Sequence, residues 1–212
     1  MTLYRASEDS DIIQSLMRAV RNGKQVTVLV EVKARFDEER NIRWSEKLED
    51  AGCHVIHGIV GMKIHSKIML IIRREEGKIQ RYIHLSTGNY NEKTARIYTD
   101  CGFFTANQDI ARDISDVFNV ITGYSVPTRW KRIMSSPYDM REYFYELIDN
   151  EITCQKKYKN GRIFAKMNSL EDTEIIQKLY QASRAGVRVQ LVVRGICCLI
   201  PGVPGLDRKS VV

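Results

Sequence analysis

The sequence predicts an α/β protein built from two repeated α/β domains. β-branched apolar runs alternate with amphipathic stretches of helical period. Turn glycines close the helical stretches, and an offset of 163, the separation of Gly23 and Gly186, lays the second half of the chain on the first.

The elements read in order. Thr2 to Ala6 is a short strand. Ser7-Glu8-Asp9-Ser10 offers several N-cap candidates for an amphipathic helix over Asp11 to Arg21, which turns Ile12, Ile13, Leu16 and Val20 inward and stops at Asn22-Gly23. Gln25 to Val32 is a buried strand, and Asp37 to Ala51 a helix closed by Gly52. Val55 to Ile59 is a strand, followed by a second apolar run from Met62 to Leu70. Arg73 to Lys78 is a hairpin turn, Ile79 to Leu85 its return strand, and Asp109 to Thr122 a helix. Tyr124 to Tyr145, with Trp130, Tyr138, Tyr143 and Phe144, reads as a linker and the first helix of a second domain.

At the 163-residue offset Ile12, Ile13 and Gln14 fall on Ile175, Ile176 and Gln177. Leu16, Ala19 and Arg21 fall on Leu179, Ala182 and Arg184, and Val26, Val28 and Val30 on Val189, Leu191 and Val193. That many matches in register indicate duplication, with domains expected at 1–125 and 126–212. His65 would map to 228, beyond Val212, so the second copy is expected to be incomplete.

The chain has 212 residues, 43% hydrophobic, enough to fill a core. A net charge of +7 favours an anionic partner. The basic residues are interspersed with 26 acidic ones, without a basic tail or an Arg/Lys run interleaved with aromatics. This favours a phosphate-lined site over a nucleic-acid groove, and no nucleic-acid partner is expected. Five cysteines lack disulfide or zinc spacing and fit a reducing cytosol. Cys53, His54 and His57 stand where a helix hands over to a strand, with no other ligands nearby, and read as structural. No signal peptide is expected, and no apolar stretch in these residues has spanning length.

The most informative run is Met62-Lys63-Ile64-His65-Ser66-Lys67-Ile68-Met69-Leu70. Read as a buried strand, it places Lys63, His65 and Lys67 on one face and Ile64, Ile68 and Leu70 on the other. Two ammonium groups beside an imidazole disfavour its protonation and attract an anion, keeping His65 neutral and nucleophilic. Ser86-Thr87-Gly88-Asn89-Tyr90-Asn91 follows as a small polar turn. Together these read as a phosphoryl-transfer site with a covalent histidine intermediate. Arg35, after Val32-Lys33-Ala34, and Arg5 both stand at carboxyl ends of strands, where open α/β sheets bind ligands. Thr87 and Asn89 read equally as turn-formers. Tyr98 is read either as stacking on a base or as packing in a core.

Several stretches resemble the catalytic C-terminal half of the long-form (type 1) polyphosphate kinases. They are Leu3-Tyr4-Arg5, Val32 through Glu39, Lys63 through Lys67, the long run from Ser86 through Tyr98-Thr99-Asp100, and Leu191 through Pro201. The resemblance spans residues 3 to 201 and implies two phospholipase-D-like α/β domains, the second truncated here. It implies reversible transfer of the ATP γ-phosphate to inorganic polyphosphate through a phosphohistidine, an ATP:polyphosphate phosphotransferase activity. In that comparison His65 is the nucleophile and Lys67 a catalytic phosphate contact. Arg5 and Arg35 belong to the magnesium–phosphate site, and Asn89, Tyr98 and Arg194 contact phosphate or nucleotide. Because a guanidinium has no free lone pair, Arg5 and Arg35 would hold phosphate oxygens shared with Mg2+ and not the ion itself. ATP/ADP and polyphosphate are the expected partners, in a homo-oligomeric full-length protein that is cytoplasmic, free or membrane-associated. The phospholipase D motif carries an Asp five positions after its Lys, where this chain has Ile72. Polyphosphate kinases also lack it, which favours a kinase over one rival, a phosphodiesterase; the other rival, a non-catalytic polyanion-binding fragment, is kept open by the incomplete second copy.

Overall fold

In the computed structural model, residues 1–7, 10–31, 38–59, 61–123, 130–207 and 210–211 are described. The chain divides into two compact units, Met1–Ile133 and Met134–Val212. Within unit 1, Asp113, buried on a helix, accepts the backbone N–H groups of Lys131, Arg132 and Ile133 at 2.9, 2.6 and 3.3 Å.

Unit 1 opens with a parallel three-stranded sheet, β1 (Thr2–Leu3), β2 (Thr27–Val30) and β3 (His54–His57), in the order β1-β2-β3. Helix α1 (Asp11–Arg21) has the expected span. Ser10 caps it by accepting from Ile12 N, and Gly23, at φ 73°, lets the chain leave. Helix α2 (Glu38–Asp50) follows. Both helices press on the sheet, and Ile13, Met17, Trp44 and Leu48 pack with Leu3, Val28 and Val30.

A second, antiparallel sheet follows: β4 (Lys67–Glu75), β5 (Lys78–Ser86) and β6 (Gly102–Thr105). The hairpin is tighter than expected, a two-residue turn at Glu76-Gly77 with both residues at positive φ. Short helix α3 (Glu92–Ala95) lies between β5 and β6. Helix α4 (Gln108–Ile121), capped by Asn107, covers one face of this sheet through Ala111 and Ile114 against Ile68 and Ile83.

Unit 2 comprises α5 (Met140–Tyr158), β7 (Arg162–Met167), α6 (Thr173–Arg184), β8 (Arg188–Val193) and β9 (Ser210–Val211). Its parallel sheet runs β7-β8-β9 around a core of Ile148, Leu179, Val187, Val189 and Leu191. β1–α1–β2 and β7–α6–β8 are the same parallel strand–helix–strand unit, each leaving its helix through a positive-φ glycine, Gly23 or Gly186.

Two further expectations change. The Met62–Leu70 run is not one strand: pairing begins at Lys67, and residues 63–66 are irregular. The strand expected through Ala6 ends at Leu3.

Candidate active site

The site is built at the carboxyl ends of β1 and β2, where open α/β sheets present ligands. Asn41 of α2, fully buried, ties those ends together: its Nδ2 donates to Tyr4 O at 3.0 Å and to Glu31 O at 2.9 Å. From this base two side chains hold the histidine segment. Glu31 Oε2 accepts from Ile64 N at 2.8 Å. On the other side Thr2 Oγ1 donates to Ser66 O at 2.7 Å and accepts from Ile68 N at 3.0 Å. His65 is therefore fixed by clamps on both flanks, and its neighbours' backbone groups are satisfied by side chains in place of a strand ladder.

Lys63, His65 and Lys67 do converge, though not by strand alternation. They meet around Tyr4, a buried ring. The His65 ring lies edge-on to it, centroids 4.7 Å apart at 71°. Lys63 Nζ and Lys67 Nζ are each 5.3 Å from the Tyr4 centroid, and the Arg5 guanidinium carbon is 5.4 Å away.

Lys67 is only 4% exposed. Its Nζ donates to His65 O at 2.5 Å and lies 3.1 Å from both His65 ring nitrogens. Burial, then the charges of Lys67, Lys63 and Arg5, hold the His65 pKa below its usual value. His65 as a whole residue is exposed, and the buried Tyr4 ring 4.7 Å away takes solvent from part of its surroundings. Burial also pulls Lys67 down to about 8, with Asp100 opposing and Arg5 reinforcing the shift.

Lys67 pairs with Ser86 in the β4–β5 ladder, so the polar turn starts beside it. Ser86 Oγ accepts from Gly88 N at 3.0 Å, and Thr87 Oγ1 donates to Asp100 Oδ1 at 2.9 Å. A Cβ on Gly88 would lie 2.5 Å from Asp100 Oδ2, which explains the glycine. Asn91 caps α3, accepting from Lys93 N and Thr94 N. The Asn89 Oδ1 is buried and accepts no hydrogen bond within the described residues, a donor-seeking group at the turn. Tyr98 is 47% exposed, so it is not core packing.

Among the residues expected at the site, the structure gathers Arg5, Lys63, His65 and Lys67. Arg35 lies outside the described residues, as do 124–129 of the expected linker. Arg194 belongs to unit 2, where its Nε donates to Asn168 Oδ1 at 2.5 Å. Sequence reasoning missed Tyr4, Glu31, Thr2, Asn41 and Asp100. His57 engages Glu49 at 2.9 Å and His84 the Tyr90 hydroxyl at 2.9 Å, both structural roles. Among the described residues no three His, Cys, Asp or Glu side chains cluster as metal ligands. A guanidinium has no free lone pair, so an arginine at a magnesium–phosphate site would hold phosphate oxygens and not the ion.

The site thus sets a histidine of lowered pKa among three cations on an α/β scaffold. The chain belongs to the polyphosphate kinase family. Residues 1–127 match the family model for polyphosphate kinase C-terminal domain 1 and residues 133–212 that for C-terminal domain 2. It is 57% identical over 206 residues to the polyphosphate kinase of Halalkalibacterium halodurans, covering 97% of this chain and 29% of that protein. Against the Staphylococcus epidermidis polyphosphate kinase it is 55% identical over 208 residues, 98% of this chain and 28% of that protein. The crystal structure of polyphosphate kinase from Porphyromonas gingivalis matches with a TM-score of 0.86 at 44% identity, over 100% of this chain and 35% of that one. The chain thus spans under a third of the length of the curated relatives.

Proposed function

We propose that this chain carries the phosphoryl-transfer centre of a polyphosphate kinase, with His65 as the nucleophile. The observation that carries the reading is a histidine held neutral by burial and by Lys67, Lys63 and Arg5. A neutral ring nitrogen attacks the γ-phosphorus of ATP, the bond to the β,γ-bridging oxygen breaks, and ADP leaves. The terminal oxygen of polyphosphate then attacks the phosphorus on His65, the N–P bond breaks, the imidazole leaves as a neutral ring, and the chain grows by one unit. A phosphohistidine is a high-energy link, so the transfer runs in both directions. Lys67, Lys63 and Arg5 offset charge on the transferring oxygens, with Arg35 assigned the same role. Asn89 orients a phosphate, and Tyr98 and Arg194 meet the nucleotide. Magnesium enters with ATP, and Arg5 and Arg35 would hold the phosphate oxygens that the ion also binds.

The reading extends to a homo-oligomeric full-length protein without a nucleic-acid partner. A cytoplasmic setting, free or membrane-associated, fits five free cysteines. Among the described residues no helix is long and apolar enough to cross a membrane.

The test is incubation with γ-radiolabelled ATP and Mg2+, wild type beside His65→Ala. Acid-labile, base-stable label on wild type alone is the expected result. Equal labelling of both proteins, or none on wild type, would sink the phosphohistidine.

A further inference from the structure

Three cations lie close around one aromatic ring, and Asp100 at Lys67 is one group that offsets their mutual repulsion. Lys63, Lys67 and Arg5 approach the Tyr4 ring at 5.3, 5.3 and 5.4 Å. Each distance is inside the roughly 6 Å at which a ring quadrupole attracts a cation, and the attraction grows when the partners are desolvated. Tyr4 is 7% exposed and Lys67 4%. The ring is buried, and its own backbone carbonyl is held by Asn41 Nδ2 at 3.0 Å. His65 meets it in the edge-on arrangement that aromatic pairs favour, at 71°. The four side chains come from two separate stretches, Arg5 beyond β1 and Lys63, His65 and Lys67 around the start of β4, and Tyr4 is the group they all touch.

We propose that Tyr4 is the positioning residue of this centre: its π-face holds Lys63, Lys67 and Arg5 around His65, so that the cations converge on one phosphoryl group. The ligand class, a polyphosphate or nucleotide phosphate, rests on the phosphoryl-transfer reading above. The ring does not touch the reacting atoms in this scheme. It acts by keeping three like charges together before the anion arrives, which lowers the reorganisation the site must undergo on binding.

The experiment separates ring electrostatics from ring shape. Tyr4 is replaced by Phe, by Leu and by pentafluorophenylalanine in the whole chain, and binding of inorganic tripolyphosphate is measured by calorimetry at fixed low salt. Thermal unfolding identifies any variant that fails to fold. Phe keeps the negative face, and affinity stays within about twofold of wild type. Pentafluorophenylalanine keeps the shape but reverses the quadrupole, and affinity falls about tenfold, as it does for Leu. Pentafluorophenylalanine binding as well as Phe would overturn the proposal, as would a wild type that does not bind tripolyphosphate. ATP labelling of His65 in the same proteins separates the two readings. Label without a fluorine effect removes Tyr4 but keeps the phosphohistidine. A fluorine effect without label keeps Tyr4 as organiser of an anion site and removes the kinase chemistry.

Discussion

Lys67 Nζ lies 3.1 Å from both His65 Nδ1 and His65 Nε2. An ammonium equidistant from both ring nitrogens stands off the ring plane and cannot align with the single in-plane lone pair that a neutral ring carries. The imidazole lone pair therefore stays available for attack, while the positive charge sits where a phosphoryl oxygen would arrive. The two side chains set opposite limbs of a pH profile. His65 must be neutral and titrates below its usual 6.5, so labelling by ATP is sustained below that pH before it falls. Lys67 must be charged and titrates at about 8, so labelling falls again above it. Lys67→Arg, whose charge persists beyond pH 12, is expected to lose the alkaline limb. A profile still falling near pH 8 in that variant would assign the limb elsewhere.

The same lysine costs stability. Its pKa drops from 10.5 unfolded to about 8 folded. Between those values the unfolded chain binds the extra proton, so this group's contribution rises with pH across that window and is most unfavourable below about 8. Lys67→Met removes the buried charge and is expected to stabilise unit 1 at pH 7 by up to about 3 kcal/mol, with the gain fading towards pH 10.5. Denaturant titrations of both proteins at pH 7 and pH 10 test this. A gain that does not shrink with pH would mean that packing, not charge, was responsible.

Helix α1 was legible because Ser10 and Asn22-Gly23 mark its two ends and its apolar period is strong. The duplication was legible for a similar reason, since Gly23 and Gly186 mark the same backbone exit. Local signals fail where a distant side chain takes over a backbone group. The Lys63–Lys67 segment has the apolar neighbours of a strand, but Ile64 N–H is claimed by Glu31 and Ser66 O by Thr2. Nothing near residue 64 announces that. Strand β6 was missed because four residues led by Gly102 carry little pattern, and α3 because it is a single capped turn. The titrating groups at the site were readable from spacing, whereas the ring and carboxylates that place them arrive through tertiary contacts.

Thr2 supplies the clearest test of those contacts. Its hydroxyl is fully buried and serves Ser66 O and Ile68 N together. Thr2→Val keeps the shape and leaves both backbone groups without their partner, at a cost of about 2 kcal/mol. The labelling rate should fall further than stability alone accounts for, because His65 loses one of its two clamps. Thr2→Ser restores the hydroxyl and should recover most of the rate. Recovery of stability without rate would show that the clamp holds the fold but does not place the histidine.

Gly88 links the polar turn to the lysine. A Cβ there would meet three consecutive atoms of Asp100, at 2.5, 2.7 and 2.9 Å, so the carboxylate cannot escape by rotating its tip. Gly88→Ala therefore displaces Asp100 and breaks its bond from Thr87 Oγ1, which also receives Cys101 N–H at 3.0 Å. Overpacking of this kind costs about 1–3 kcal/mol. Asp100 is the carboxylate that raises Lys67 against burial, so removing it lets Lys67 lose its proton below about 8. The alkaline limb of the labelling profile should move to lower pH in Gly88→Ala. Asp100→Asn should move it the same way without the steric cost. A limb that moves in Asp100→Asn and not in Gly88→Ala would show that the turn yields and the carboxylate stays. A limb fixed in both would remove Asp100 from the electrostatics of the site.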